Sequence, residues 1–124
     1  MKIQLINPNT SVAMTARLAE SARPLLRPGN QLLAVTSSAG PASIECHYDE
    51  ALCLPGLLQA IRDGERDGAE GHVIACFGDP GLLAAREISR HPVIGMAQNR
   101  AGTEELIQRQ PAVEDVAADE PEAP

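Results

Sequence analysis

The chain has very few aromatic residues: among its 124 residues there is no tryptophan, one tyrosine (Tyr48) and one phenylalanine (Phe77). A buried core must therefore be built from leucine, isoleucine, valine and alanine. The sequence also lacks any apolar run near the roughly 20 residues that a membrane-spanning helix needs. It has no basic stripe interleaved with aromatic residues, the pattern typical of nucleic-acid binding. We therefore expect neither a membrane nor a nucleic acid as a partner.

Cysteine is scarce as well, with three copies in the sequence. An odd count does not suit a disulfide scaffold, and the amino terminus leads into a strand-like run rather than a signal peptide. We therefore predict a cytoplasmic protein with reduced thiols. The residues that could bind a metal match neither the C-x-x-C nor the H-x₃-H spacing of common metal sites, so we predict no metal site. These residues are Cys46, His47, Cys53, His72 and Cys76.

The net charge of −7 is concentrated at the carboxyl end of the sequence. Residues 111–124 hold five acidic residues and no basic residue, which leaves 12 acidic and 10 basic residues elsewhere. A segment that is acidic and rich in proline and alanine predicts disorder. Residues 98–110 predict one short polar helix. The remaining residues, 1–97, are predicted to form the α/β domain.

Short β-favouring runs alternate with amphipathic segments through residues 1–97. Asp49 and Asp79 are predicted to cap the second and third helices, and Pro55 is expected to kink or delay the second. Strands separated by helices predict a four-stranded parallel sheet with right-handed crossovers. The predicted strands are residues 2–6, 31–35, 72–75 and 93–95.

Cys76 is the leading candidate for chemistry. It follows the third predicted strand and precedes a glycine-containing turn, so it lies at the carboxyl edge of the sheet, where open α/β folds place their ligands. The helix predicted after Asp79 would bring its positive amino-terminal end near the sulfur, which favours the thiolate. The alternative interpretation is a buried structural cysteine at the end of a strand.

Two further loops leave predicted strands at the same edge. Residues 7–11 offer amides and polar side chains to a ligand, or simply cap the following helix. The connection at residues 37–49 is long for a loop between a strand and a helix, which suggests a binding role. Its Glu45, His47 and Asp49 are candidates for general bases, although such residues more often cap helices or face solvent. Together with the thiol, these loops favour a small-molecule site.

Three motifs occur in order, without large gaps, between residue 1 and about residue 97. They are Ile6-Asn7-Pro8-Asn9-Thr10-Ser11, Gly40-Pro41-Ala42-Ser43-Ile44-Glu45 with His47-Tyr48-Asp49-Glu50-Ala51, and Ala75-Cys76-Phe77-Gly78-Asp79-Pro80-Gly81 with Ala84-Ala85-Arg86-Glu87. In this order they resemble the hydantoin racemases, which belong to the aspartate/glutamate racemase superfamily.

The resemblance implies a flavodoxin-like three-layer α/β sandwich that forms one lobe of a two-lobe racemase. In that family each lobe contributes one cysteine: one thiolate removes a proton from the stereogenic carbon, and the opposite thiol protonates the other face. Such a pair of acid and base needs no cofactor. The substrate implied is a 5-substituted hydantoin or a related ring such as allantoin. The matching positions imply a catalytic role for Cys76 and substrate contacts or site shaping for Asn9, Thr10, Ile44, Gly78 and Asp79.

The sequence departs from the family pattern in two respects. After about Ala97 it no longer follows the family, whose second lobe carries the second cysteine, so we expect a truncation that impairs racemisation. Cys46 stands where we expect a small residue such as glycine, but it comes from the same lobe as Cys76, and a same-side pair does not invert a centre. The exposed surface that would meet the second lobe predicts either self-association into a homo-oligomer or poor solubility.

Three hypotheses remain open from the sequence. The chain is a racemase that pairs with another copy or subunit, or it is a non-catalytic binding lobe or decayed gene product. In the third hypothesis, Cys76 serves a different thiol-dependent enzyme activity such as hydrolysis.

Overall fold

The computed structural model describes residues 1–97. Every strand in it pairs in parallel with its neighbours, and the strand order is β2-β1-β3-β4. This is the order of the flavodoxin-like doubly wound sheet, so the predicted fold class is confirmed. The elements are β1 (Lys2–Asn7), α1 (Val12–Ala22), a 3₁₀ turn (Arg23–Leu25), β2 (Gln31–Thr36), α2 (His47–Arg66), β3 (Gly71–Ile74), α3 (Leu82–Ile88) and β4 (Val93–Gly95).

The helices cover both faces of the sheet. The chain moves from β1 to β2 in one direction and from β2 across to β3 in the other, and right-handed crossovers then place α1 on the face opposite α2 and α3. The main core lies under α2 and α3. Its fully buried members are aliphatic, as the shortage of aromatic residues requires: Ile6, Leu57, Ile61, Ile74, Ala85 and Val93. On the other face, α1 buries Thr15 and Ala19.

The predicted cap of α2 is wrong by three residues, because the cap is Cys46 rather than Asp49. The helix begins at His47, so Asp49 lies within its first turn, where its carboxylate accepts a hydrogen bond from the Glu45 amide at 3.0 Å. In a capping box an acidic side chain at this position reaches the amide of the cap itself, whereas here it reaches the amide of Glu45, one residue before the cap Cys46. Pro55 does not delay the helix, which runs on to Arg66 because its buried apolar face packs against the sheet.

The predicted cap of α3 is also wrong. Asp79 has a φ of 48° and Gly81 a φ of 65°, so both lie in the left-handed region and α3 starts only at Leu82. The capping position belongs to Gly81, which has no capping side chain. The turn between Cys76 and Leu82 therefore separates the thiol from the first residue of the helix.

Two predictions concern residues outside the described residues 1–97. The helix predicted at residues 98–110 and the disordered tail predicted at residues 111–124 lie beyond the described residues. Within residues 1–97, none of the helices is both long enough and apolar enough to cross a membrane.

Candidate functional site

The loops after β1 and β3 meet at the carboxyl edge of the sheet. These two strands are neighbours whose following connections leave in opposite directions, and this arrangement opens a crevice where doubly wound folds bind ligands. The Ala75 amide extends the pairing by donating to the Ile6 carbonyl at 2.9 Å. Cys76 follows directly, at the mouth of the crevice.

The backbone around Cys76 is held in a tight turn. Its amide donates to the Ile74 carbonyl at 3.0 Å, and its carbonyl accepts from the Asp79 amide at 3.1 Å. The residue is partly exposed. A thiol that is fixed by its backbone and reached by solvent favours the functional interpretation over that of a buried structural cysteine.

An open cleft of about 520 Å³ lies over this thiol. The loop before α2 and the first turn of α2 form one wall, and the turn after β3 forms the other. Of the predicted site residues, Cys76, Ile44 and Gly78 line the cleft. The complete lining is Ile44, Glu45, Cys46, His47, Glu50, Cys76, Phe77 and Gly78.

Glu50 is a site residue that had no predicted role. Its carboxylate lies against the Gly78 backbone, where a Cβ atom would collide with Oε2. Its other oxygen is 3.1 Å from Nδ1 of His47. The Glu50 side chain is 31% exposed, whereas that of His47 is fully exposed. The spacing of His47 and Glu50, three residues apart at a helix start, was the available signal for this pair.

A second thiol lies behind the cleft. Cys53 is fully buried, and its Sγ donates to the Glu50 carbonyl at 3.1 Å. Burial, together with the smaller effect of the negative charges of Cys76 and Glu50, raises the pKa of the Cys53 thiol to about 11. Cys53 therefore remains a neutral thiol near neutral pH. Cys46, in contrast, is exposed and lines the cleft.

The loop at residues 7–11 organises itself through its own polar groups. Oδ1 of the buried Asn9 accepts hydrogen bonds from Nδ2 of Asn7 and from the Ser11 amide, both at 2.8 Å. The Ser11 hydroxyl caps α1 by accepting from the Met14 amide at 3.2 Å. The capping interpretation is thus correct for Ser11. The Asn9 amide group shapes the loop.

This loop is tied to the loop that carries Ile44, because the Thr10 amide donates to the Pro41 carbonyl at 3.1 Å. Asn9 and Thr10 lie outside the lining of the cleft. Their contacts with a substrate stay predictions.

Asp79 lies at the side of the site. Its Oδ1 accepts a hydrogen bond from the Ala97 amide at 3.0 Å, and its carboxylate lies against Gly95. The residue thus ties the turn after β3 to the end of β4. It is outside the cleft lining, and its contact with a substrate also stays a prediction.

The candidate general bases have different positions. Glu45 and His47 line the cleft, and His47 reaches fully into solvent. Asp49 is used by the capping contact with the Glu45 amide.

Comparison with known proteins gives a consistent family assignment. Residues 3–106 match the family model described as Asp/Glu/Hydantoin racemase. The chain is 50% identical over 99 residues to a hydantoin racemase of Pseudomonas sp. (strain NS671), covering 80% of this chain and 40% of that protein. It is 42% identical over 130 residues to a hydantoin racemase of Rhizobium meliloti, covering 96% of this chain and 54% of that protein.

Solved structures show the same similarity in three dimensions. The allantoin racemase from Klebsiella pneumoniae superposes with a TM-score of 0.77 at 56% identity, over 78% of this chain and 40% of that chain. The allantoin racemase from Pseudomonas fluorescens superposes with a TM-score of 0.78 at 24% identity, over 86% of this chain and 45% of that chain, and supports the fold alone. The chain thus spans about half, or less, of the length of the relatives it matches.

Proposed function

We propose, from the premise that this chain belongs to the Asp/Glu/Hydantoin racemase family, that it binds a hydantoin-like ring in the cleft and exchanges the proton on the ring's stereogenic carbon through Cys76. The observation that carries the proposal is the position of a partly exposed thiol at the switch point of the sheet, within a cleft of small-molecule size.

The chemistry follows from the acidity of the ring carbon. The Cys76 thiolate removes the proton from C5: an S–H bond forms, the C–H bond breaks, and its electron pair moves into the adjacent carbonyl to give an enolate. Protonation of C5 by the thiol reverses the step and restores the thiolate. No electrons are gained or lost, so the step needs no redox cofactor. This is the basis on which we propose a cofactor-independent reaction.

Glu50 gives the cleft a means of orienting such a ring. A hydantoin carries two ring N–H groups, and a carboxylate is the acceptor that binds N–H groups most strongly. The Glu50 carboxylate lies beside Gly78, within the same cleft as the thiol. We assign Glu50 the role of accepting a ring N–H, with Ile44 and Phe77 contacting the apolar substituent at C5.

A single thiol acts on one face of the ring. When the Cys76 thiol exchanges its proton with water and returns a proton to the same face, C5 exchanges its hydrogen with retention of configuration. Inversion requires an acid on the opposite face, and Cys53 is a buried neutral thiol behind the wall of the cleft. We therefore propose that this chain alone exchanges the proton, and that racemisation needs a second lobe or a second copy.

Two exposed aromatic side chains in and next to the cleft offer a surface for association with a second lobe or a second copy. Phe77, which lines the cleft, is 61% exposed, and Tyr48, which follows the lining residue His47, is 71% exposed. Exposed apolar side chains of this size favour a partner. We propose that the chain acts in the cytoplasm and self-associates there. Size-exclusion chromatography tests the association: a concentration-independent monomer contradicts it.

Two readouts on one sample test the proposed reaction. A single enantiomer of a 5-substituted hydantoin is incubated with the chain in D₂O, while NMR follows the C5–H signal and polarimetry follows optical rotation. We expect the C5–H signal to disappear faster than in the protein-free control, with little additional loss of rotation. Equal rates of exchange and rotation loss would show a second acid and contradict the one-face step. Ligand binding without exchange above the control would make the chain a binding lobe.

A further inference from the structure

A second cluster of reactive side chains lies at the opposite edge of the sheet from the cleft. Glu65 is near the end of α2, His72 is in β3, and His91 is in the connection between α3 and β4. Oε2 of Glu65 is 2.6 Å from Nε2 of His72 and 2.9 Å from Nδ1 of His91. One potential ligand atom from each residue lies within 4.8 Å of the other two.

The hydrogen bonds of Gln4 fix the orientation of the His72 ring. Nε2 of Gln4 donates to the Ala60 carbonyl at 2.9 Å, so its Oε1 is the atom that accepts from Nδ1 of His72 at 2.6 Å. With the proton on Nδ1, the other nitrogen of a neutral ring presents a lone pair to the Glu65 carboxylate. Two lone pairs do not stand 2.6 Å apart unless a cation lies between them. That cation is either a proton or a metal ion.

The cluster has the features of a metal site beyond its three ligand atoms. Metal-binding histidines nearly always donate their second ring N–H to an oriented acceptor, which Gln4 supplies here. The remaining Glu65 oxygen accepts from the Arg90 amide at 3.0 Å, which orients the carboxylate. The His72 side chain is fully buried, Glu65 is 15% exposed and His91 is 39% exposed. Solvent thus reaches the cluster from the His91 side, which gives an ion a path of entry.

We propose that Glu65, His72 and His91 form a binding site for a divalent transition-metal ion of the zinc and cobalt class. Two imidazoles and one carboxylate suit these ions, whereas magnesium and calcium prefer oxygen ligands alone. The ion takes the place of the hydrogen between His72 and Glu65, and a water completes a fourfold site. It joins α2, β3 and the connection before β4 at one point, far from the reacting thiol.

The distances require a small adjustment. Ligand atoms around tetrahedral zinc stand about 3.3 Å apart, given bonds of about 2.0–2.1 Å. The distance from Glu65 to His72 must therefore widen by about 0.7 Å, and that from Glu65 to His91 by about 0.4 Å. His91 has the freedom for its part of this movement because it is partly exposed and lies in a connection rather than in a helix or strand. The larger part falls to the Glu65 carboxylate, which is 15% exposed and must turn away from the buried His72.

Cobalt(II) titration of the metal-depleted full chain tests the site by absorption spectroscopy. We expect saturation at one ion per chain, visible d–d bands, and no sulfur-to-cobalt charge-transfer band. His91→Gln should weaken cobalt binding more than tenfold. A loss of about tenfold or more is typical even when the changed residue only forms a hydrogen bond to a ligand, and His91 is itself a ligand in the proposed site. His47→Gln is the matched control, because it removes another histidine that is paired with a glutamate. Both variants keep the acidic residues at the carboxyl end, so any cobalt bound there is the same in both. Equal affinity in both variants, or a sulfur band as the main signal, overturns the proposal.

A second measurement needs no variant and so does not depend on folding of the mutants. Diethyl pyrocarbonate modifies accessible imidazole nitrogens, and peptide mass spectrometry quantifies each histidine. Saturating zinc should reduce modification of His91 at least tenfold and leave that of the fully exposed His47 unchanged. Unprotected His91 at zinc saturation contradicts the site.

Discussion

Replacing Glu65 tests how much the cluster of Glu65, His72 and His91 contributes to the free energy of unfolding. The carboxylate accepts four hydrogen bonds: from His72, His91, the Ser89 hydroxyl and the Arg90 amide. Burial opposes its charge, but these four donors outweigh burial and lower its pKa to about 2. Glu65, on α2, is therefore a charged acceptor shared by two other segments, β3 and the connection between α3 and β4.

The expected cost of Glu65→Ala can be worked out from these contacts. Breaking a buried ion pair by removing one partner costs about 3–5 kcal/mol. The donors from His91 and Arg90 are near solvent and recover hydrogen bonds with water, whereas the His72 nitrogen is fully buried and does not. We therefore expect the free energy of unfolding to fall by about 3 kcal/mol, at the lower end of that range.

Urea denaturation followed by circular dichroism, with a chelator present, measures this change without a contribution from metal. Asp63→Ala is the matched control on the same helix, because Asp63 pairs with Arg66 at the surface. Exposed pairs of this kind contribute about 0–1 kcal/mol. The reasoning is refuted if the two variants lose the same free energy of unfolding.

Three further predictions concern the cleft and the buried thiol behind it. Because the pKa of Cys53 is raised to about 11, Cys53 should react with iodoacetamide far more slowly than Cys46 in the native chain and equally fast in urea, as read by peptide mass spectrometry. The neutral Cys53 thiol stabilises the fold fully below about pH 9, and this contribution falls as the pH rises towards 11. The free energy of unfolding of Cys53→Ala, measured in urea, should therefore lack this part of the pH dependence. The same pH dependence in the wild type and in Cys53→Ala would contradict the raised pKa. Gly78→Ala should push the Glu50 carboxylate aside and weaken hydantoin binding about tenfold by NMR titration, while changing stability by less than about 0.5 kcal/mol. Unchanged affinity would remove Glu50 from ligand binding.

The sheet and the position of its central thiol were predictable from local patterns. Each strand is a short β-favouring run bounded by turn residues, and the parallel arrangement follows from the helices between them. Val93–Gly95 was predicted at its observed bounds, and the other three strands within a residue at their ends. Cys76 was placed at the carboxyl edge because it directly follows such a run.

Features that depend on tertiary contacts were not predictable in this way. Asp79 is a good helix cap by residue type, but its carboxylate contacts the end of β4, which lies far along the chain. Glu65, His72 and His91 have no motif spacing, since they come together only when α2, β3 and the connection before β4 pack. The position of Glu50 in the cleft likewise depends on a tertiary contact, because its carboxylate fits there only since Gly78 has no side chain.

The central claim is that Cys76 is the group that exchanges the ring proton. Its most direct test is the rate of loss of the C5–H signal of a 5-substituted hydantoin in D₂O, measured for the wild-type chain, Cys76→Ser and Cys46→Ser. We predict exchange above the protein-free rate for the wild type and exchange at that rate for Cys76→Ser. Undiminished exchange in Cys76→Ser, or a loss caused by Cys46→Ser instead, would contradict the account.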